Sequence, residues 1–600
     1  MDYQAWQSLP EMFFQQAGRR RDRPFLWSNH KGGFSPLTYG EVARRVNRLA
    51  RGLRELGVRP GDRVALVSEN RPEWLIADLA IMAAGAITVP TFTTNTVADH
   101  LHVLTHSGAR AAILSTPSVA KNLLPAAVEA PDLELVVSME DLGLAQRPRV
   151  TVRSWQEVLE RGEQHPDDIA ETVARLRRDD VCCFIYTSGT GGTPKGVMLT
   201  HGSILANCFG AYHLLVDFFG AGREVFLSFL PLSHAYEHTA GQFFPISIGA
   251  EIYYAESAER LIDDMAVARP TIMTAVPRLY EVMHQRMMRA VNKGPELQRK
   301  LFFTALELGR RKYEHPGSLT LRERALDALV ELLVRRKIRR RFGGRLKALV
   351  SGGAALNYDI GLFFTALGLR ILQGYGQTEA SPVVSVNPPG RIKLKTVGPP
   401  LKGVELRIAE DGEILVRGEL VMKGYWRDPD ATAKAIQDGW LHTGDIGEID
   451  ADGYLRITDR KKDIIVLSGG DNLSPARVEG FLVLQPEIHQ AMVHGDKRPH
   501  VVALLVPERE FVLEWARANG KKPDLVALAD DPAFRKALAA VIDRVNARLS
   551  NIEKIRRFAV APEPFSIENG MMTPSLKIRR HKIRAAYGEM LERLYEKGGG

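Results

Sequence analysis

The chain has 600 residues, 45% hydrophobic and 25% charged, and that length exceeds what one compact core holds, so two or more domains are expected. Three cysteines, two of them adjacent (Cys182 and Cys183), exclude a disulfide framework and read as the thiol usage of a reducing cytoplasm. The formal net charge of +9 favours acidic substrates or an anionic membrane surface, and no nucleic-acid-binding motif accompanies it.

The N-terminal stretch MDYQAWQSLPEMFFQQAGRRRDRP lacks the apolar core of about 7–15 residues behind a basic start that a signal peptide needs. Val42, Val46, Leu49, Leu53 and Leu56 recur at helical spacing, and Gly57 closes that helix. Residues 64–67 read as a strand. Trp74 to Phe92 is the longest apolar stretch, but Asp78, Gly85 and Pro90 interrupt it. It reads as a buried helix over 75–84 and a strand over 86–89, rather than a membrane span. Further strands are expected at 111–114 and 135–137. Helices alternating with buried strands predict an α/β architecture with largely parallel sheets.

Residues 181–185 (VCCFI) form a short apolar run that reads as a buried strand, and 197–201 return to apolar character before a helix. Between them lies YTSGTGGTPKG. A glycine-rich loop leaving a strand can turn its backbone N–H groups toward an anion. Thr187, Ser188, Thr190 and Thr193 add hydroxyls to Gly189, Gly191 and Gly192, and Lys195 adds a positive charge. The competing readings are an ordinary Gly/Ser/Thr turn and a Walker loop. The Walker spacing fails, because Pro194 precedes the lysine and Gly196 follows it.

Downstream, a strand from Val225 ends in LPLSHAYEH, where His234 is either a site residue or a hydrogen-bonded strand-end histidine. Residues 281–345 are rich in Arg, Leu and Ala, and Leu326, Leu329, Val330 and Leu333 follow the amphipathic template. RRKIRRRFGGR then places seven basic residues between Arg335 and Arg345. A charge run is usually a solvated helix face, and the sharper reading is contact with anionic lipid. Two strands, 346–350 and 369–372, end in SGGAA (with Gly353 and Ala354) and QGYGQTE. Ligands of open α/β sheets bind beyond such strand ends. Small residues there leave room for a flat ring, Tyr375 can stack on it, and Glu379 offers a hard oxygen to Mg²⁺. From Gly398 short strands and turns take over. Asp445 in HTGD is suited to two ribose hydroxyls, or is a plain turn aspartate. In SGGDNLSP, Ser474 and Pro475 read as the start of a helix. Strands around 490–493 and 501–506 and helices over 531–549 complete a smaller C-terminal part.

Taken in order, YTSGTGGTPKG, LPLSHAYEH, GYGQTE, HTGD with DRKKD, and TPSLK resemble the motifs of the adenylate-forming enzymes. That superfamily comprises acyl-CoA synthetases, luciferases and peptide-synthetase adenylation domains. The resemblance spans roughly residues 35 to 585, is closest to long-chain fatty acyl-CoA synthetases, and departs at Gly191, where a threonine is usual. It implies a large N-terminal domain (1–459) of stacked, mostly parallel α/β sheets with a helical insertion (281–345) and a small β-rich subdomain. A hinge at 460–463 with Lys462 and a small mobile α+β domain (464–600) would follow. It implies a ligase that uses ATP, Mg²⁺ and CoA to convert a fatty acid through acyl-AMP to acyl-CoA. Phosphates would sit on Thr187, Ser188, Gly189, Thr190, Gly191, Gly192 and Lys195, and adenine on Gly353, Ala354, Gln373, Gly374, Tyr375, Gly376 and Thr378. Ribose falls to Asp445 and Arg460, the metal to Thr187 and Glu379, the acyl pocket to His234 and Tyr236, and the CoA arm to Gly469 and Gly470. Lys577 is the implied catalytic lysine, with Lys195 and His234 beside it. The implied place is the cytoplasm, with peripheral contact at the inner face of a membrane and a homodimer left open. Loading of a carrier protein, an aryl or medium-chain acid, and a catalytically inactive binding protein are the rival readings.

Overall fold

The computed structural model describes residues 2–30, 33–143, 149–187, 193–257, 260–461, 464–469, 471–573 and 577–596. The helix anticipated around Val42 spans Tyr39–Glu55. Thr38 opens it in a capping box with Glu41, and Gly57 just past its end takes φ +96°, which L residues resist. Its Val42, Val46, Leu49 and Leu53 are buried. The longest apolar stretch is the helix Pro72–Ala83 followed by the strand Ile87–Pro90, both inside the core. Among the described residues, no helix is long and apolar enough to cross a membrane.

Two eight-stranded sheets carry the N-terminal part. In the first, Ile371–Gly376, Ala348–Ser351, Ile272–Ala275, Val225–Ser228, Glu251–Tyr254 and Pro24–His30 run parallel in that spatial order. Val383–Val386 and Gly33–Thr38 close its two edges antiparallel. In the second, Val181–Thr187, Ile87–Pro90, Arg63–Val67, Ala109–Leu114, Leu135–Ser138 and Thr151–Ser154 are parallel. Lys195–Thr200 and Gly424–Tyr425 extend it antiparallel. The α/β class with mostly parallel sheets is therefore as the alternation predicts.

A five-stranded antiparallel sheet follows, built on Trp440–Ile449, with Glu413–Arg417 and Leu455–Arg460 on its two sides. From Ile465 onward, apolar residues fill cores of their own beneath the sheet of Ile488–His494, Val501–Pro507 and Ile555–Val560. Polar contacts tie this part to the large one. Arg278 reaches His489 at 3.2 Å, Arg289 pairs with Glu510 at 2.7 Å, and Arg548 pairs with Asp359. Ser474 accepts from the Arg477 N–H to start the helix Pro475–Leu482.

The expected helical region is Pro277–Asn292, Glu296–Glu314 and Leu321–Val330, continued by a π turn (Glu331–Arg335) and Arg336–Arg341. Its apolar template is only partly a core face. Val330 is buried, whereas Leu326, Leu329 and Leu333 face solvent. Arg335 departs from the charge run in the other direction. It is 4% exposed, donating to Asp327 at 2.6 Å and to the carbonyls of Ala305 and Ala366, each at 2.8 Å.

Candidate active site

The strand Val181–Thr187 hairpins back into Lys195–Thr200, with Thr187 opposite Lys195. Ser188, Gly189, Thr190, Gly191 and Gly192 lie outside the described residues, as do Lys462 and Gly470. Lys195 Nζ sits 2.9 Å from Asp428 Oδ2 and 5.2 Å from the Tyr425 ring centroid. The Tyr425 phenol donates to Glu379 Oε1 at 2.9 Å. The loop lysine and the acid of GYGQTE are thus bridged by one aromatic residue. Sequence reasoning named neither Tyr425 nor Asp428; the GYWRDP run that follows a short strand was the available signal.

Asp445 lies within the strand Trp440–Ile449 rather than in a turn. Its register partner across the antiparallel pair is Arg460, whose Nε is 3.2 Å from Asp445 Oδ1. The Tyr375 phenol donates to the other oxygen at 2.5 Å. Burial, and then the adjacent carboxylate, push the Tyr375 phenol well above its ordinary value, so it acts only as a donor. Tyr375, expected to offer a stacking face, is 8% exposed, and its hydroxyl is committed to Asp445.

The glycines of this loop serve the backbone. A Cβ on Gly376 would meet the Pro382 carbonyl at 1.9 Å, and one on Gly374 would meet that of Ser385 at 2.9 Å. The space they leave is taken by the neighbouring edge strand Val383–Val386. Gly353 has φ +85° with nothing nearer its missing Cβ than 3.7 Å, and Ala354 is exposed beside it. Gln373 is buried, its carbonyl receiving the Asn387 N–H at 2.9 Å, and Thr378 begins the short turn that carries Glu379. Gly469, assigned to the CoA arm, stands in the exposed turn between Ile465–Val466 and Asn472–Leu473.

Lys577 comes from near the C-terminus into this group. Burial first, and the Arg460 guanidinium second, bring its ammonium down to about 8, while Asp445 pulls the other way. His234 is lowered to about 4 by burial and, in the same direction, by Lys577. Its Nδ1 accepts the Tyr236 N–H at 3.2 Å, which leaves a neutral imidazole with its proton on Nε2. Residues far apart in the chain therefore share one centre: Lys577, Arg460, Asp445 and His234.

An apolar cavity adjoins it. Tyr236 is held by its phenol on the Val350 carbonyl at 2.9 Å, and lies so close that a Cβ on Gly352 would touch its ring at 3.1 Å. From Tyr236 and Val350 the cavity runs past Phe226, Thr239 and Ala211 to Leu401, a narrow cleft of about 40 Å³. Its walls are almost wholly hydrocarbon, which suits a chain driven in by loss of water contact. Beneath one wall, Glu237 is fully buried and accepts from Thr274 at 2.6 Å, and burial raises its carboxyl to about 7. The next residue, His238, pairs at 2.9 Å with Asp78 of the helix Pro72–Ala83, both side chains being inaccessible to solvent.

Comparison with known proteins accords with this geometry. The profile of the AMP-binding enzyme family matches residues 13–426, and that of the AMP-binding enzyme C-terminal domain matches 462–599. A long-chain-fatty-acid–CoA ligase of Mycobacterium bovis is 36% identical over 574 residues, covering 94% of this chain and 93% of the relative. A peroxisomal long chain acyl-CoA synthetase of Arabidopsis thaliana is 34% identical, covering 94% and 82%. The A domain of a carboxylic acid reductase from Segniliparus rugosus, solved with AMP and a carboxylic acid, superposes with a TM-score of 0.77. It is 22% identical, with 98% of this chain and 94% of that one covered, and shows the shared fold. The chain belongs to the AMP-binding, adenylate-forming enzyme family, within which it is similar to long-chain acyl-CoA synthetases.

Proposed function

We propose that the protein is an AMP-forming long-chain fatty acid:CoA ligase. The observation that carries this reading is the meeting of Lys577, Asp445 and Arg460, with His234 linking them to Tyr236 and the apolar cavity it lines. A carboxylate is a poor acyl donor because oxide would have to leave. Attack of one carboxylate oxygen on the α-phosphorus of ATP expels pyrophosphate and makes AMP the leaving group. CoA sulfur then attacks the acyl carbon, forming the thioester and releasing AMP.

The first step brings an anion onto a polyanion, so its barrier is electrostatic. In this reading Lys577 neutralises charge on the reacting oxygens, and Lys195 with the hairpin loop cradles the outer phosphates. For that, polyphosphate must displace Asp428 from Lys195. Asp445 takes the ribose hydroxyls while Tyr375 and Arg460 fix its carboxylate. Gly353, Ala354, Gln373, Gly374, Gly376 and Thr378 border the base. Neutral His234 and Tyr236 border the acyl carboxylate at the cavity mouth.

Mg²⁺ fits the donor set. Among the described residues no cluster of three or more His, Cys, Asp or Glu forms, so the ion would draw most of its ligands from phosphate and water. Glu379, with one oxygen held by Tyr425, and Thr187, opposite Lys195, would complete its shell. When bound it supplies positive charge to the triphosphate.

For the second step we place a pivot at 460–463. Residues 464–600 turn so that Lys577 leaves and Gly469 and Gly470 approach the CoA arm. The same reading puts the protein in the cytoplasm, at the inner face of an anionic membrane that holds its water-insoluble substrate.

The test is release of AMP from Mg-ATP with a panel of free fatty acids, with and without CoA. AMP and acyl-CoA from long chains, dependent on CoA, are expected. Acyl-AMP that accumulates without turnover on CoA would instead indicate carrier loading, and no adenylate at all an inactive binder. Asp445→Asn is expected to raise the KM for ATP about 10–100-fold, the worth of a hydrogen bond to a charged acceptor, with the larger change in KM rather than kcat. An unchanged KM would remove Asp445 from the ribose site.

A further inference from the structure

Residues 296–345 hold 14 lysines and arginines against six acids, a net +8 of the +9 carried by the whole chain. The rest of the molecule is close to neutral. Within residues 321–341 each acid is already paired. Glu323 pairs with Arg311, Asp327 with buried Arg335 and with Lys312, and Glu331 with Arg339. What remains on the outer face of residues 321–341 is of two kinds. Arg322, Arg324, Arg336, Lys337, Arg340 and Arg341 are exposed, and among the described residues none pairs with an acid. Between them Leu321, Leu329 and Leu332 are 82%, 47% and 55% exposed, with Leu326 and Leu333 beside them. Arg335, donating three hydrogen bonds into the interior, fixes the helix so that this face points outward.

A soluble helix with no partner normally places charge, not leucine, on that side. Leucines interleaved with unpaired arginines match a surface that is hydrocarbon a few ångströms below a layer of negative charge. We propose that the outer face of residues 321–341 docks on an anionic lipid bilayer, its leucines entering the acyl region and its cations meeting the headgroup phosphates. This deepens, and rests on, the placement of the enzyme at such a membrane. Charge complementarity selects the bilayer over a second copy of this chain, whose same face would bring like charges together.

The full-length protein is sedimented with vesicles of phosphatidylcholine, with and without phosphatidylglycerol. Binding to the anionic vesicles alone, falling as salt rises, is expected. R336E/K337E/R340E/R341E should weaken the partition by at least about tenfold. L321S/L329S/L333S, which leaves the charge intact, should weaken it as well. Both should keep the parent's melting temperature and its rate on detergent-dispersed substrate, since these side chains are exposed and none belongs to the site described above. Undiminished partition of both variants would overturn this surface while leaving membrane contact in place elsewhere. Equal binding to neutral vesicles would overturn the charge-led docking. Failure of the parent protein to bind either vesicle would overturn the membrane placement and this face with it, while leaving the ligase activity to stand or fall on its own assay.

Discussion

Lys577→Ala is expected to slow acyl-adenylate formation by about 10²–10³-fold, the usual loss when one preorganised charge leaves an active site. Thioester formation from supplied acyl-AMP and CoA should keep most of its rate, because that step passes no charge onto a polyphosphate. Pyrophosphate release and acyl-CoA formation, followed separately, distinguish the two. Equal loss of both would count against a lysine that serves only the first step. The pH profile adds an independent check. The lysine works as an ammonium, and its titration point is lowered from 10.5 to about 8 by burial and Arg460. Adenylation by the parent enzyme should therefore fall as pH rises through 8. Lys577→Arg, permanently charged, should retain partial activity and lose that alkaline limb.

Asp78→Ala is expected to destabilise the protein by about 3–5 kcal/mol, the cost of leaving one member of a buried pair without its counter-charge. His238 and Asp78 are both fully inaccessible, and Nε2 meets Oδ2 at 2.9 Å. Burial alone would drive the imidazole toward neutrality. Asp78, with Cys183 adding in the same direction, outweighs it, so His238 is raised above its usual 6.5. A raised histidine contributes its full stabilisation below the unfolded value and loses it as pH climbs through the folded one. The pair also clamps the helix Pro72–Ala83 to the π-helical segment Glu237–Phe243, which directly follows His234 and Tyr236. Replacing both members with apolar residues, Asp78→Leu with His238→Met, should recover much of the stability in chemical denaturation. If Asp78→Ala melts like the parent, the pair is not a charged one.

The fold was legible wherever burial is periodic. Val42, Val46, Leu49 and Leu53 mark a helix because one stripe faces the core, and VCCFI marks a strand because both its faces are buried. The site was legible as motifs but not as a geometry. Asp445 had a plain turn aspartate as its rival reading because Thr-Gly-Asp is turn chemistry, and pairing with Arg460 across the sheet draws it into a strand. Gly374 and Gly376 suggested space for a ring, while their missing side chains admit an edge strand, a long-range fact no local pattern encodes. Asp78 looked like a flaw in an apolar stretch. Its partner is 160 residues away, and only the packed core shows why it is there. The leucines of 321–341 follow a core template, and only the exposure of Leu329 and Leu333 shows that the stripe faces out.

Lys577 and Arg460 feel each other as like charges, while the carboxylate of Asp445 attracts Lys577 against that push. In the proposed reaction a polyphosphate beside the two cations would add negative charge and hold the C-terminal segment inward. Departure of pyrophosphate would withdraw part of that charge, so the chemistry that completes the first step would also loosen the lysine.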